Sequence, residues 1–350
     1  MRVVLIGSGV LPIPPRDWGA VERAIDGLSR GLRSLGVDVL IMNRDGGGQS
    51  WKEYPFALGV PRRLRGLPRD IVHVFTPVVA NRLLLAGERF VYTSHSRHWT
   101  GAYGARERFG FWLERRACAR ATRTVALNGA VATSMRGTRP PTRPDRLRVI
   151  PNGVDLDRFA PRWDARQGNG LLGVGAIHPR KRWELAVRML ERLPGAHLTL
   201  AGPWPDPSYA RRLLATPGSE GRLALTGPVG DAALARLYAE NDLLIHPSVS
   251  ELQSITVLEA MASGLPVLGT DVLSSEVPDP DVGQLLPREL SADEQVERWA
   301  ALALELLADS PRRRRMGEAA RRRAEEHYGW GQVAKATLDL YREVREEPPR

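Results

Sequence analysis

The chain has 350 residues, 43% hydrophobic and 26% charged, which is too apolar for a disordered chain and long enough that two cores are expected. A single cysteine, Cys118, excludes an intrachain disulfide and any cysteine-cluster metal site. The formal charge of +10 suits anionic partners such as nucleoside diphosphates, anionic lipid or nucleic acid, although arginines scattered over solvated faces account for it equally well.

From the amino end, RVVLIG at 2–7 reads as a strand. Its apolar run is too short for a secretory signal or a spanning helix, and no later run is long enough either, so a cytoplasmic protein is expected. AVERAIDGLSRGLRSLG repeats apolar residues at Val21, Ile25, Leu28 and Leu32, one buried helix face. VDVLIMN, DIVHVFTP, RFVYTSHS, ATRTVALN and LRVIPNG continue as strands with helical segments between them. DRFAPRWDARQGNG, 157–170, is polar and rich in Pro, Gly and Arg, so a linker is placed at 161–170. The alternation then restarts with GLLGVGAI, AHLTLAGPW, RLALTG, DLLIHPSV and LPVLGTD as strands. Strands alternating with helices predict parallel sheets covered on both faces. The fold class is therefore α/β, two doubly wound domains facing across an interdomain cleft, at 1–160 and 171–327, with a last helical segment at 328–350. The Arg-rich run RRRRMGEAARRRAEEHYGW, with interleaved acids and alanines, reads as a solvated helix face and not as a nucleic-acid site.

The segment SVSELQSITVLEAMASGLPVLGTD holds Glu251 and Glu259, with seven residues between them, in otherwise small or apolar sequence. Ser254 is a good N-cap type and Gly264 a good stop, so Glu251 falls in a loop at a strand's carboxyl end and Glu259 on the following, largely buried helix. In the loop, Glu251 is expected to carry little packing. A buried carboxylate needs strong hydrogen-bond partners, which ligand hydroxyls supply. A helix amino terminus receives phosphate. The bland alternative has Glu251 capping the helix and Glu259 bonding nearby backbone.

The run DLLIHPSVSELQSITVLEAMASGLPVLGTD resembles the signature of glycosyltransferase family 4, retaining enzymes of the GT-B fold. WGAVERAI is similar to the family's Gly-Gly-x-Glu loop with Ala20 for the second glycine, VIPNGVDLDRF to its interdomain segment, and HYGWGQVAKATLDLYREV to a final helix crossing back onto the first domain. The resemblance implies that Glu251 meets the transferred sugar, Glu259 the nucleotide ribose, and the amides near Ser254 and Ile255 the sugar or diphosphate. It assigns His95 to the reacting sugar and Lys181 to the diphosphate, and adds donor contacts at Gly19 and Val229. Lys181 is one of only three lysines, with Lys52 and Lys335, in a chain that otherwise uses Arg. The family's usual diphosphate arginine is replaced by Ala176, so Arg180 or Arg182 is the candidate substitute. Glu251-Leu252-Gln253-Ser254 departs from the usual Glu-Gly-Phe-Gly. His98 and His73 lie on the same expected sheet edge, His73 as a packed strand residue.

The function implied is retaining transfer of a hexose from a nucleoside-diphosphate sugar to an acceptor hydroxyl, with no metal and no other cofactor. A non-catalytic binding protein of the same fold and a sugar-nucleotide epimerase are the alternatives. A dinucleotide oxidoreductase has only GSGVLP at 7–12, which lacks the last glycine of that fingerprint. RERFGFWLERRACARATR, 106–123, mixes aromatics with arginines at helical spacing. It is either a core helix with a basic face or a surface for anionic membrane, which would suit a lipid-linked acceptor at the inner face of the membrane.

Overall fold

The computed structural model describes residues 1–15, 19–96 and 105–347. They form two compact units, Met1–Gly153 with Trp330–Arg350, and Val154–Gly329.

The first unit is built on β1 (Arg2–Ile6), β2 (Asp38–Met42), β3 (Ile71–Val74), β4 (Val91–Thr93), β5 (Arg123–Ala126) and β6 (Leu147–Val149), in the order β2-β1-β3-β4-β5-β6. All pairings are parallel. Val3 to Ile6 of β1 are fully buried, so both sheet faces need helices over them. These are α1 (Ala20–Ser34), α2 (Glu53–Leu64), α3 (Pro77–Leu85), α4 (Ala105–Arg120) and α5 (Gly129–Gly137). The strand order reverses direction at β1, so right-handed crossovers put α1 on one face and the later helices on the other. There α3 packs between α2 and α4.

The second unit has β7 (Gly170–Val174), β8 (His197–Ala201), β9 (Leu223–Gly227), β10 (Leu243–His246), β11 (Val267–Thr270) and β12 (Gly283–Leu286) in the order β12-β11-β10-β7-β8-β9, again parallel. Its helices are α6 (Trp183–Met189), α7 (Pro207–Leu214), α8 (Asp231–Glu240), α9 (Ile255–Ala262), α10 (Ala292–Ala308) and α11 (Ser310–His327). The last helix, α12 (Trp330–Glu346), belongs to the first unit, where Val333, Ala334, Leu338 and Tyr341 join the core under Ile25, Leu28 and Leu32 of α1.

Two expectations change. Residues 161–170 are a strap on the second unit, not a free linker. Phe159 lies in that unit's core, and Trp163 sits against Gly264 and Gly317 with the guanidinium groups of Arg166 and Arg314 at 4.6 and 5.3 Å from its ring centre. Arg166 also donates to the carbonyls of Ser263 and Gly264, which finish α9. Nor is the arginine run on α11 uniformly solvated. Arg313 is buried and donates to the carbonyls that end α10, and Arg321 and Arg323 donate to carbonyls of neighbouring segments. Guanidinium groups satisfy several carbonyls at once, which a sequence reading of alternating charge does not reveal. Among the described residues no helix is long and apolar enough to cross a membrane.

Candidate active site

In the second unit β7 and β10 are neighbours, yet the chain leaves β7 toward β8 and leaves β10 toward β11, on the opposite side. Diverging connections open a crevice at the strands' carboxyl ends, the usual ligand position in such sheets. Lys181 follows β7 and Glu251 follows β10, so two residues 70 positions apart meet there, with Nζ 2.6 Å from Oε1. Their side chains are only 11% and 13% exposed. Gly175 makes the approach feasible. Its φ of 144° suits glycine, and a Cβ there would stand 3.3 Å from Lys181 Cε.

His246, the last residue of β10, is fully buried and completes the cluster, with Nε2 3.2 Å from Glu251 Oε1 and 3.5 Å from Ser254 Oγ. Burial, joined by the Lys181 charge, holds its pKa below the ordinary value, so the ring is neutral. A neutral ring facing a carboxylate through Nε2 carries its proton there and donates it to Glu251. Burial by itself would raise the Glu251 carboxyl. The Lys181 ammonium and the His246 hydrogen bond outweigh it and keep the group well below the usual carboxylate range. Glu251 is therefore an ionised, paired side chain, not the lightly packed loop residue expected from the sequence. Arg180 is half-buried, and its charge also acts on His246, whereas Arg182 supplies the left-handed residue (φ 56°) at which α6 begins.

Helix α9 starts at Ile255 with Ser254 as its N-cap residue and ends before Gly264 in the left-handed region, φ 67°. The Ser254 side chain makes no cap bond. Its hydroxyl lies 3.0 Å from Thr256 Oγ1, and its amide donates to Glu276 Oε1 at 3.1 Å. The Ser254 amide is thus engaged by an internal carboxylate, and the first amides of the helix proper, Ile255 and Thr256, are the ones its geometry leaves without a carbonyl one turn back. Glu259 is 5% exposed and accepts from the Tyr238 hydroxyl at 2.9 Å. Ile255 is half-buried at the head of the same helix, and Val229, half-buried before α8, packs on the core that holds Leu234 and Tyr238.

In the first unit, Gly19 has φ 142°, and a Cβ there would come within 2.9 Å of Glu22 Oε2. Glu22 is buried and accepts from Ser8 Oγ at 3.1 Å. His95 follows β4. Burial lowers its pKa to about 4, so it is neutral at pH 7, and its buried Nε2 has no hydrogen-bond partner among the described residues. It borders a cavity of about 20 Å³ shared with His73, Thr93 and Trp330, far too small for a sugar ring. His73 is a packed strand residue. Its two ring nitrogens contact Tyr341 Oη at 2.6 Å and Thr93 Oγ1 at 2.7 Å, and its ring stacks on Phe75. Trp18 and His98 lie outside the described residues.

Three members of this arrangement escaped sequence reasoning: His246, Tyr238 and Glu276. A histidine closing the strand in DLLIHPS carried a local signal. Tyr238 and Glu276 carried none, because each reaches its partner from a different connection of the sheet.

Residues 168–309 match the family described as Glycosyl transferases group 1, and residues 19–158 the family described as Glycosyltransferase Family 4. The chain is 35% identical to a D-inositol 3-phosphate glycosyltransferase of Nocardia farcinica over 56% of its own length and 47% of that protein's. It thus spans about half of that relative. It is 28% identical to an alpha-maltose-1-phosphate synthase of Mycolicibacterium smegmatis over 95% of its length and 97% of that protein's. Among solved structures it resembles a sucrose-phosphate synthase from Thermosynechococcus elongatus, with TM-score 0.82 and 18% identity over 98% and 99% of the two chains. Anabaena HepE in complex with UDP and glucose gives TM-score 0.74 and 16% identity over 98% and 100%. At such identities the likeness shows the fold, and the two parallel six-stranded sheets are those of a GT-B protein.

Proposed function

Because the chain belongs to the glycosyltransferases of group 1 and family 4, we propose that it transfers a hexose from a nucleoside-diphosphate sugar to an acceptor hydroxyl, with retention of anomeric configuration. The observation that carries this reading is the buried Lys181–Glu251–His246 cluster at the switch point of the second sheet, beside the amino end of α9. Lys181, Arg180 and the amides of Ile255 and Thr256 are suited to the charge that develops on the departing diphosphate, since fixed donors in a desolvated crevice act more strongly than water. Arg180 is the better substitute for the arginine replaced by Ala176, because its charge reaches the cluster. Glu251, kept ionised, orients sugar hydroxyls. Glu259, buried one turn into α9, takes the ribose hydroxyls.

In the step proposed, the acceptor oxygen bonds to the anomeric carbon as the bond from that carbon to the phosphate oxygen breaks. The acceptor proton passes to the departing phosphate oxygen on the same face. The role that the resemblance gives His95 is not part of this step, because the neutral ring borders only a cavity of about 20 Å³. The chemistry of each role is a protein dipole or charge, and no step uses a metal or another cofactor.

The test pairs calorimetric titration of UDP and GDP with initial rates on their sugar nucleotides. Glu259→Ala is expected to weaken nucleoside diphosphate binding by about 1.5–3 kcal/mol, the worth of hydrogen bonds to a charged group. Glu251→Gln, which keeps an acceptor for Lys181, is expected to lose turnover while retaining that binding. Absence of saturable binding to either diphosphate at millimolar concentration refutes the reading, and binding without turnover on any sugar nucleotide favours a non-catalytic protein.

One surface favours a lipid-linked acceptor over a free sugar. On the helical layer formed by α2, α3 and α4 and on the turn Ser50–Lys52 before α2, the large side chains of Trp51, Tyr54, Leu58, Phe109 and Trp112 are exposed. Phe109 and Trp112 stack on each other with ring centres 5.9 Å apart, and the Arg116 guanidinium lies 5.7 Å from the Trp112 ring. Aromatics interleaved with arginine suit an anionic membrane surface at the cytoplasmic face.

A further inference from the structure

Glu276 plays no part in the chemistry proposed above, yet it is 1% exposed and its carboxyl points into the candidate site. It follows the short turn after β11. One oxygen accepts the Ser254 amide at 3.1 Å and the other accepts the Ser275 hydroxyl at 2.5 Å. Its main chain is anchored from the opposite side. Arg323 of α11 donates through Nε to the Glu276 carbonyl at 2.7 Å and through a terminal nitrogen to the Ser275 carbonyl at 3.0 Å, and the Tyr328 hydroxyl donates to the same Ser275 carbonyl at 3.2 Å. The carboxyl is therefore a fixed point. The segment it grips is the end of the short loop, residues 247–254, that carries Glu251 from β10 to α9.

We infer that Glu276 is a positioning residue for the donor site, holding the Ser254 amide so that the loop presents Glu251 to Lys181 and His246. This rests on the transferase reading for its consequence in turnover, but not for the mechanical link itself. The Leu252-Gln253-Ser254 stretch has no glycine, so its conformation is set by what its backbone amides and side chains bond to. A single buried acceptor at Ser254 also fixes the first residue of α9, and with it the direction in which Ile255 and Thr256 aim their amides. Burial raises the Glu276 pKa to about 7, with the nearby Glu251 charge adding to the rise. Both protonation states retain an oxygen able to accept from Ser254, so the grip does not depend on the charge.

The distinguishing variants are Glu276→Gln, which keeps an acceptor oxygen in the same place, and Glu276→Ala, which removes it. If Glu276→Ala does not fold, Glu276→Leu replaces it with similar volume and no acceptor. Hydrogen exchange is measured over residues 249–256, with kcat and KM for the donor and binding of the bare nucleoside diphosphate. Glu276→Ala is expected to speed exchange of this segment by about 10-fold or more, as a local opening would. It should lower kcat by about 10- to 100-fold, the usual cost of displacing a reacting group by an ångström, with nucleoside diphosphate binding changed less than about 3-fold. Glu276→Gln should stay close to the wild type in both. A residue with a merely structural role would lower the melting temperature and leave kcat alone. Wild-type exchange over 249–256 in Glu276→Ala, or faster exchange with unchanged kcat, overturns the inference. If the wild-type protein turns over no sugar nucleotide, the transferase reading fails and the exchange comparison alone decides the role of Glu276.

Discussion

Replacing Lys181 by Met removes an ammonium from a carboxylate 2.6 Å away when both side chains are nearly out of water. Two unit charges at that separation attract by about 6 kcal/mol at an effective dielectric constant of roughly 20. Much of this is offset by the desolvation of both groups, and breaking such a buried pair from one side costs about 3–5 kcal/mol. The His246 hydrogen bond at 3.2 Å remains as partial compensation, so Lys181→Met is expected at the lower end, about 3 kcal/mol at pH 7.5. The double variant Lys181→Met, Glu251→Gln removes the stranded charge and should recover most of that, leaving a cost of about 1 kcal/mol. The sign with pH follows from the direction of the shift. In the wild type the Glu251 pKa is depressed, so its contribution is present above the unfolded value of 4.5 and is lost as pH falls through the lower folded value. In Lys181→Met, burial acts without the ammonium and raises the pKa, so the defect shrinks as the medium is acidified and grows as pH rises. Native-state hydrogen exchange over residues 154–329 in all four cycle members, at pH 5.5 and 7.5, measures these differences within the unit concerned. A Lys181→Met cost below about 1 kcal/mol, or a double variant no better than the single, would refute a desolvated and coupled pair.

Other outcomes follow from buried groups and close contacts. Glu276 has its pKa raised from 4.5 to about 7, so the stability it contributes is complete below about pH 4.5 and is lost as pH rises through 7, a swing of about 3 kcal/mol from 2.5 pH units. Glu276→Gln should therefore become more stable than the wild type at pH 8 and less pH-dependent between 5 and 8, as read by urea titration; parallel curves would contradict this. Gly27→Ala should destabilise by about 1–3 kcal/mol in spite of better helix propensity, because its Cβ would fall 2.1 Å from Trp330 Cε2 where α1 meets α12. Gly59→Ala, whose Cβ would meet nothing nearer than Arg63 Nε at 3.8 Å, should instead stabilise the protein by up to about 1 kcal/mol, read as a higher melting temperature. Vesicles with anionic lipid should co-sediment with the protein in a salt-sensitive way that Trp112→Ser weakens, and equal binding to neutral vesicles at high salt would remove the electrostatic part of that surface.

The local pattern of the chain was sufficient for the fold class and for the family. Strands such as RVVLIG and DLLIHPSV are continuous apolar runs between helices with one apolar face, and only parallel sheets covered on both sides bury such runs. The start and stop of α9 at Ser254 and Gly264 were equally legible, although Ser254 makes no side-chain cap bond, and the left-handed backbone at Gly264 is decided within a few residues. What the chain could not disclose locally is who stands opposite whom. Lys181 and Glu251 meet because β7 and β10 became neighbours and their connections diverge, a consequence of strand order that no spacing within either segment encodes. The same holds for Glu276, which takes the Ser254 amide from the next connection of the sheet, and for Trp163, which turns an apparent linker into a strap by finding Gly264 and Gly317. Hydrophobic periodicity and capping act over a few residues and can be read in order along the chain. The ionisation of Glu251, the neutrality of His246 and the grip of Glu276 depend on burial and on partners brought from distant segments, so they exist only once the sheet has closed around them.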